Sequence, residues 1–130
     1  MDPASTIDAG ALWRWLPVGY VLTVALEAPV LLLGLGRWPV NEAPRYTYAQ
    51  RLTAAFWLTA VTYPIVIVAL PLLMWPHASY ATYVLVAETW AIAAECALFH
   101  VVWRGSPQDL AIVALANLVS AVLGGWFLSR

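Results

Sequence analysis

The chain has 130 residues, 63% of them hydrophobic and 10% charged, with six arginines, no lysine, seven acidic residues and a formal net charge of -1. A soluble domain carries about 25% charged residues, and a disordered chain is poor in apolar residues, so both are excluded; without a basic patch, so is a nucleic-acid binder. The single cysteine excludes a disulfide framework within the chain and a multi-cysteine metal centre, which leaves an all-α, polytopic membrane protein folded as one domain over residues 1–130.

A bilayer core about 30 Å thick takes roughly 20 apolar residues of helix to cross. The sequence predicts four such spans, at about 12–36, 52–75, 79–103 and 108–128. The opening residues 1–11 hold neither arginine nor lysine. They lack the basic front of a secretory signal, so the first span is expected to stay in the protein. That span carries Glu27 a little past its middle, followed by Pro29. A polar connector follows, with Arg37, Pro39, Asn41, Glu42, Pro44, Arg45 and Arg51. The second span offers Thr59, Thr62 and Tyr63 near its centre, then Pro64 and Pro71. A proline in a helix leaves a carbonyl one turn back without its donor, and in lipid such a carbonyl must find another partner.

Trp75-Pro76-His77 makes a short turn into the third span, which carries Glu88 and Glu95. Seven residues apart, the two project within about 20° of each other, separated by about 10.5 Å of rise. Spans one and three run in the same direction, so Glu27 and Glu95 are expected at nearly one depth, with Glu88 two turns away. Cys96 and His100 stand one turn apart on the same span. No further His or Cys joins them on another span, and they read as a core cysteine and a near-interface histidine. Arg104-Gly105-Ser106-Pro107 turns the chain into the fourth span, where proline suits the first turn of a helix. That span supplies Asn117 and Ser120, on the small-residue stripes Ala116-x3-Ser120-x3-Gly124 and Asn117-x3-Ala121-x3-Gly125. Such stripes let helices approach closely.

A charge at the centre of a membrane helix costs about 2.5–3.5 kcal/mol, so three intramembrane carboxylates would cost roughly 8–10 kcal/mol if ionised and unpaired. Polar groups at this depth face the bundle interior. The expected site is therefore one shared cluster of Glu27, Glu88, Glu95, Tyr63, Asn117, Thr62 and Ser120. At least one of its glutamates should hold a proton at neutral pH unless a cation neutralises it. Should a metal bind, Glu27 and Glu95 are its expected ligands, since oxygen ligands suit a hard cation. No other cofactor is expected.

The order of Glu27-Ala28-Pro29, Thr62-Tyr63-Pro64, Glu88 with Glu95, and Ala116-Asn117 with Ser120 and Gly124 resembles a group of uncharacterised bacterial four-span membrane proteins. Their pattern is Glu-x-Pro, Thr-x-Pro, Glu-x6-Glu and Ala-Asn-x2-Ser-x3-Gly. That group often has His before the second proline and Asn upstream of it, where this chain has Tyr63 and no such Asn. The resemblance implies that the polar set belongs together and implies no activity. Glu27 is also similar to the lone first-span glutamate of the small multidrug transporters, in which Glu88 and Glu95 have no counterpart.

The two loops on one side carry Arg37, Arg45, Arg51 and Arg104, against Arg14 and Arg130 on the other. The positive-inside rule then places both termini outside the cytoplasm, in a bacterial inner membrane. Trp13, Trp15, Trp38, Trp75, Trp103 and Trp126 fall near span ends, as an aromatic belt does. No Walker sequence, G-x-S-x-G, H-E-x-x-H or dinucleotide loop is present. The leading expectation is a small membrane protein that binds a cation or proton at the carboxylate cluster for transport, as a homo-oligomer or with a partner membrane protein. The alternatives are an accessory or assembly subunit whose polar cluster secures packing, and an intramembrane enzyme acting on a lipid-type substrate.

Overall fold

The structure, a computed structural model, describes residues 7–128; residues 1–6, part of the segment read against a secretory signal, and Arg130, used in the orientation argument, lie outside them. Helix α1 covers Ala9–Gly34 and α2 covers Tyr48–Pro64; a π-helical turn, Ile65–Ala69, carries α2 on into the short α3, Leu70–Met74; α4 covers Tyr80–Trp103 and α5 Pro107–Leu128. Taking Tyr48–Met74 as one unit, these make four helices of 21 to 27 residues that are long and apolar enough to cross a membrane. The protein is an integral membrane protein built as an all-α four-helix bundle.

Local chemistry explains where the helices start. Thr47 and Gln50 form a reciprocal cap: the Thr47 hydroxyl accepts from the Gln50 amide at 3.1 Å, and the Gln50 side chain accepts from the Thr47 amide at 2.9 Å. This cap satisfies two free donors at the helix end and starts α2 four residues before the expected boundary. Arg51 is thereby moved out of the connector and into the first turn of α2. There it is buried, and one guanidinium nitrogen donates to the Leu32 carbonyl at 2.6 Å. Arginine near the last turn of α1 meets carbonyls that have no helical donor and the negative end of the helix dipole. Ser79 caps α4 by accepting from the Thr82 amide at 3.2 Å.

The π turn follows from the proline pair. Pro64 and Pro71 each remove an amide donor, and between them the helix widens by one residue, so that the Leu70 amide reaches Ile65 O. A side chain answers part of the disturbance: the Tyr83 hydroxyl of α4 donates to the Val66 carbonyl at 2.8 Å. Helix α1 runs unbroken through both of its prolines, Pro17 and Pro29.

Helix α1 packs on α2 and α5, and α4 packs on the same two. The bundle is thus a ring in which α1 faces α4 across one diagonal and α2 faces α5 across the other. Two faces follow from the connectivity. The connector face carries the 35–47 segment and the 104–106 turn. The termini face carries the start of α1, the 75–79 turn and the end of α5. The main apolar core, with Leu31, Leu35, Leu58, Phe99 and Val113, occupies the connector half.

Candidate functional site

Glu27 and Glu95 stand on the two helices of one diagonal, and each is 2% exposed. The other diagonal supplies their partners. Thr59 of α2 donates to one oxygen of Glu27 at 2.8 Å, and Ser120 of α5 donates to the other at 2.8 Å. Thr62 of α2 donates to one oxygen of Glu95 at 2.6 Å, and the Asn117 amide nitrogen of α5 donates to the other at 2.8 Å. All four carboxylate oxygens are therefore met, each by a neutral donor.

The pairing is crossed, and the crossing sets the depth. On α2 the partner of Glu27 lies three residues nearer the connector face than the partner of Glu95. On α5 the order is reversed. Only carboxylates at one level satisfy both orders, so the matched depth expected from the spans is present. The helical periodicity supplies the spacing: residues three apart share a helix face, as Thr59 with Thr62 and Asn117 with Ser120 do.

Three of the donors have a second acceptor in reach. The hydroxyl of Thr59 lies 3.0 Å from the Ala55 carbonyl, that of Thr62 3.0 Å from Leu58 O, and that of Ser120 2.9 Å from Asn117 O. A hydroxyl has one hydrogen and two lone pairs. With a carboxylate present, the hydroxyl gives its hydrogen to the carboxylate. With a carboxylic acid present, the acid donates to the hydroxyl, which turns its own hydrogen to the backbone. The same heavy-atom positions serve both forms. Asn117 behaves differently: its amide nitrogen also lies 3.1 Å from the Val113 carbonyl, which can only accept, so the nitrogen stays a donor toward Glu95.

Among the described residues the ion pairs are Arg14 with Asp8 and Arg45 with Asp109. None of the described residues pairs a cation with Glu27 or Glu95. Two ionised carboxylates buried together with only neutral donors would bear an uncompensated desolvation penalty; a bound proton or cation removes it.

No family model matches the chain, nor does any curated protein or solved structure.

Glu88 is half-buried on α4, two turns toward the termini face, outside the hydrogen-bonded square. Tyr63 is not a partner of either carboxylate. Its hydroxyl reaches α1 at Thr23 and Gly19, one and two turns from Glu27, so close that a β-carbon at Gly19 would fall 1.7 Å from the phenolic oxygen. Its ring meets Tyr20 edge-on at 6.4 Å. Cys96 donates to the Leu110 carbonyl at 3.4 Å, and a His100 ring nitrogen lies 3.2 Å from the Gly105 carbonyl; both are engaged with the start of α5. His77 is exposed in its turn.

The buried polar residues Thr59 and Asp109 stand outside the expected set. Thr59 was visible as a polar residue near the centre of its span but was not assigned to the site; its spacing from Thr62 was the available signal. Asp109, at the second predicted residue of the fourth span, is 1% exposed. It accepts from the Gly36 amide at 2.9 Å, the Tyr46 hydroxyl at 3.2 Å, the Ser106 amide at 2.9 Å and the Ser106 hydroxyl at 2.8 Å, and it pairs with Arg45. The spacing Ser106-x-x-Asp109 is that of a capping box, which would have placed Asp109 at the helix start. Its long-range partners are not readable from spacing. Gly36 lies in the left-handed region at φ 68°, and a β-carbon there would fall 2.7 Å from the Tyr46 ring. This clasp ties the connector to α5 and is a structural site.

Proposed function

We propose that this integral membrane protein binds protons at the Glu27–Glu95 pair and that proton exchange there serves transport. The observation that supports it is the burial of two carboxylates at one depth among neutral donors alone. A proton enters this geometry without moving a heavy atom, because three hydroxyls can reverse their hydrogen bonds. A metal ion would compete with those donors for the same oxygens. Four helices leave little room for a pathway, so transport calls for a homo-oligomer or a partner membrane protein in the bilayer. The arginines of the connector face put that face in the cytoplasm and both termini outside it, in a bacterial inner membrane. The bacterial four-span group that shares the Glu, Thr and Asn-Ser pattern would then share this site.

A second reading has its own support. Every carboxylate oxygen is satisfied, which also suits a network that secures helix packing in an accessory subunit. Substitution of Glu by Gln separates the two, since Gln keeps hydrogen bonding and cannot titrate. Thermal stability would be measured across pH, and with Na⁺, Mg²⁺, Ca²⁺ and Mn²⁺, for the wild type, Glu27→Gln and Glu95→Gln. A ligand bound only to the folded state raises stability with the logarithm of its concentration. The expected result is a pH-dependent stability that each variant flattens while remaining folded. A cation-dependent shift lost in the variants would replace the proton by that cation. Identical pH profiles in all three proteins would overturn the proton site in favour of packing.

A further inference from the structure

Arg51 is the outermost residue of the buried face of α2. Ala54, Ala55 and Leu58 continue that face at helical spacing, each fully buried, and Arg51 itself is 7% exposed. A guanidinium stays charged and carries five N–H donors in a fixed fork. One of its nitrogens is used: Nη1 donates to the Leu32 carbonyl at 2.6 Å. Nε is buried and has no partner, and Nη2 makes no bond with the described residues. Nε and Nη2 form the edge of the guanidinium whose parallel N–H bonds match two oxygens of a carboxylate or phosphate. The cap on α1 therefore occupies one corner of the group and leaves its anion-binding edge unused.

Among the described residues no carboxylate takes that edge. Asp109 pairs with Arg45, and Asp8 pairs with Arg14 at the opposite face. Glu27 and Glu95 are held by neutral donors in the middle of the bundle, and Glu88 lies farther toward the termini face. Glu42 is exposed in the connector and joins no ion pair among the described residues. Arg37 and Arg104, exposed on the same face as Arg51, join none either. A buried charge without a counter-ion bears its desolvation penalty unrelieved, and a buried donor without an acceptor adds its own. Arg51 stands three residues inside the start of α2, about 4.5 Å of rise. That is the level at which a membrane helix meets the headgroups. One turn nearer the surface on the same helix face, Tyr48 is exposed, so the membrane surface comes within a turn of the guanidinium.

We propose that Arg51 seats a phosphate oxyanion on its Nε–Nη2 edge, at the connector end of the seam between α1 and α2, and that a phospholipid headgroup supplies it. Basic positions between membrane helices hold anionic headgroups in this way. The site is separate from the carboxylate pair and independent of its protonation. Because Nη1 stays on the Leu32 carbonyl, an occupied site joins the end of α1, the start of α2 and the lipid through one side chain.

The test uses the full chain, delipidated in a maltoside detergent and phosphate-free buffer. Melting temperature is followed against dioleoyl phosphatidylglycerol, against dioleoylglycerol (the same tails without phosphate) and against inorganic phosphate. A ligand of the folded state raises stability with the logarithm of its concentration. For the wild type, the phospholipid alone should raise the melting temperature. Arg51→Lys keeps the charge and a donor for Leu32 but lacks the planar edge. The phospholipid concentration it needs for the same rise should be at least about tenfold higher, since hydrogen bonds to charged groups are the strong class. Arg37→Gln removes an exposed charge of the same face and should change that concentration less than about twofold. A second readout needs no variant. In wild-type protein labelled with ¹⁵N at arginine Nε, the phospholipid should shift one of the six arginine resonances well beyond the rest, and dioleoylglycerol none. An equal rise with dioleoylglycerol, no rise with any of the three, or equal losses in Arg51→Lys and Arg37→Gln would each overturn the site. If inorganic phosphate reproduces the rise and Arg51→Lys abolishes it, the oxyanion site stands and the headgroup falls as its source.

Discussion

At the scale of single residues, Asp109 is a buried carboxylate that gathers an arginine, a tyrosine, a serine and two backbone amides. Tyr46 reports on it. Burial, and then the nearby Asp109 carboxylate, push the Tyr46 hydroxyl above the ordinary tyrosine value. A raised folded-state value means that the neutral phenol is favoured on folding. Its contribution is fully present below about pH 10, the unfolded value, and is lost as the pH rises through the folded value. Melting temperatures measured across that alkaline range should fall more steeply for the wild type than for Tyr46→Phe. Parallel slopes would show that Tyr46 does not carry the alkaline loss.

At the scale of elements, α2 and α5 act as paired rails whose polar residues hold the carboxylates of α1 and α4. Thr59→Val and Ser120→Ala each remove one bond to Glu27 and leave the helix backbones intact. Hydrogen bonds between membrane helices are worth about 0.6 kcal/mol on average and up to about 1.7 kcal/mol, so each substitution should cost an amount in that range. In a double-mutant cycle with Glu27→Met, which removes both acceptor oxygens at similar side-chain length, measured by thermal or denaturant unfolding in detergent, the losses should be less than additive. Strict additivity would show that Thr59 and Ser120 stabilise the bundle by some contact other than Glu27. The polar positions Thr62, Asn117 and Ser120 were legible because apolar spans make each polar residue conspicuous. Tyr63 was legible as polar but not in its direction, since its hydroxyl is drawn to α1 at Thr23 and Gly19, one and two turns from Glu27.

At the scale of the whole molecule, the largest buried apolar side chains, Phe99, Leu31, Leu35 and Leu58, stand in the connector half. Leu58→Ala removes a fully buried side chain from the connector half, and such core truncations cost about 2–5 kcal/mol. Gly124→Ala adds a methyl group where nothing is packed, and in a helix interior the gain of alanine over glycine reaches about 1 kcal/mol. Unfolding measurements should show a large loss for the first and no loss for the second. A comparable loss at Gly124 would mean that this position of α5 is packed rather than open.

The sequence by itself determined the membrane class, the number of spans, the one-level placement of Glu27 and Glu95, and most of the polar residues around them. Length, hydropathy and the helical repeat are local properties, and in lipid they leave the backbone few alternatives. Only the tertiary structure decided the ring order that sets α1 against α4. With it came the crossed pairing of Thr59 and Ser120 with Glu27 and of Thr62 and Asn117 with Glu95. The early start of α2 was local, set by the Thr47–Gln50 cap, but the burial of Arg51 at the end of α1 and the assembly of Arg45, Tyr46 and Gly36 around Asp109 were decided there too. These depend on which helices become neighbours and how they rotate about their axes, and that is set by side-chain packing between segments far apart in the chain.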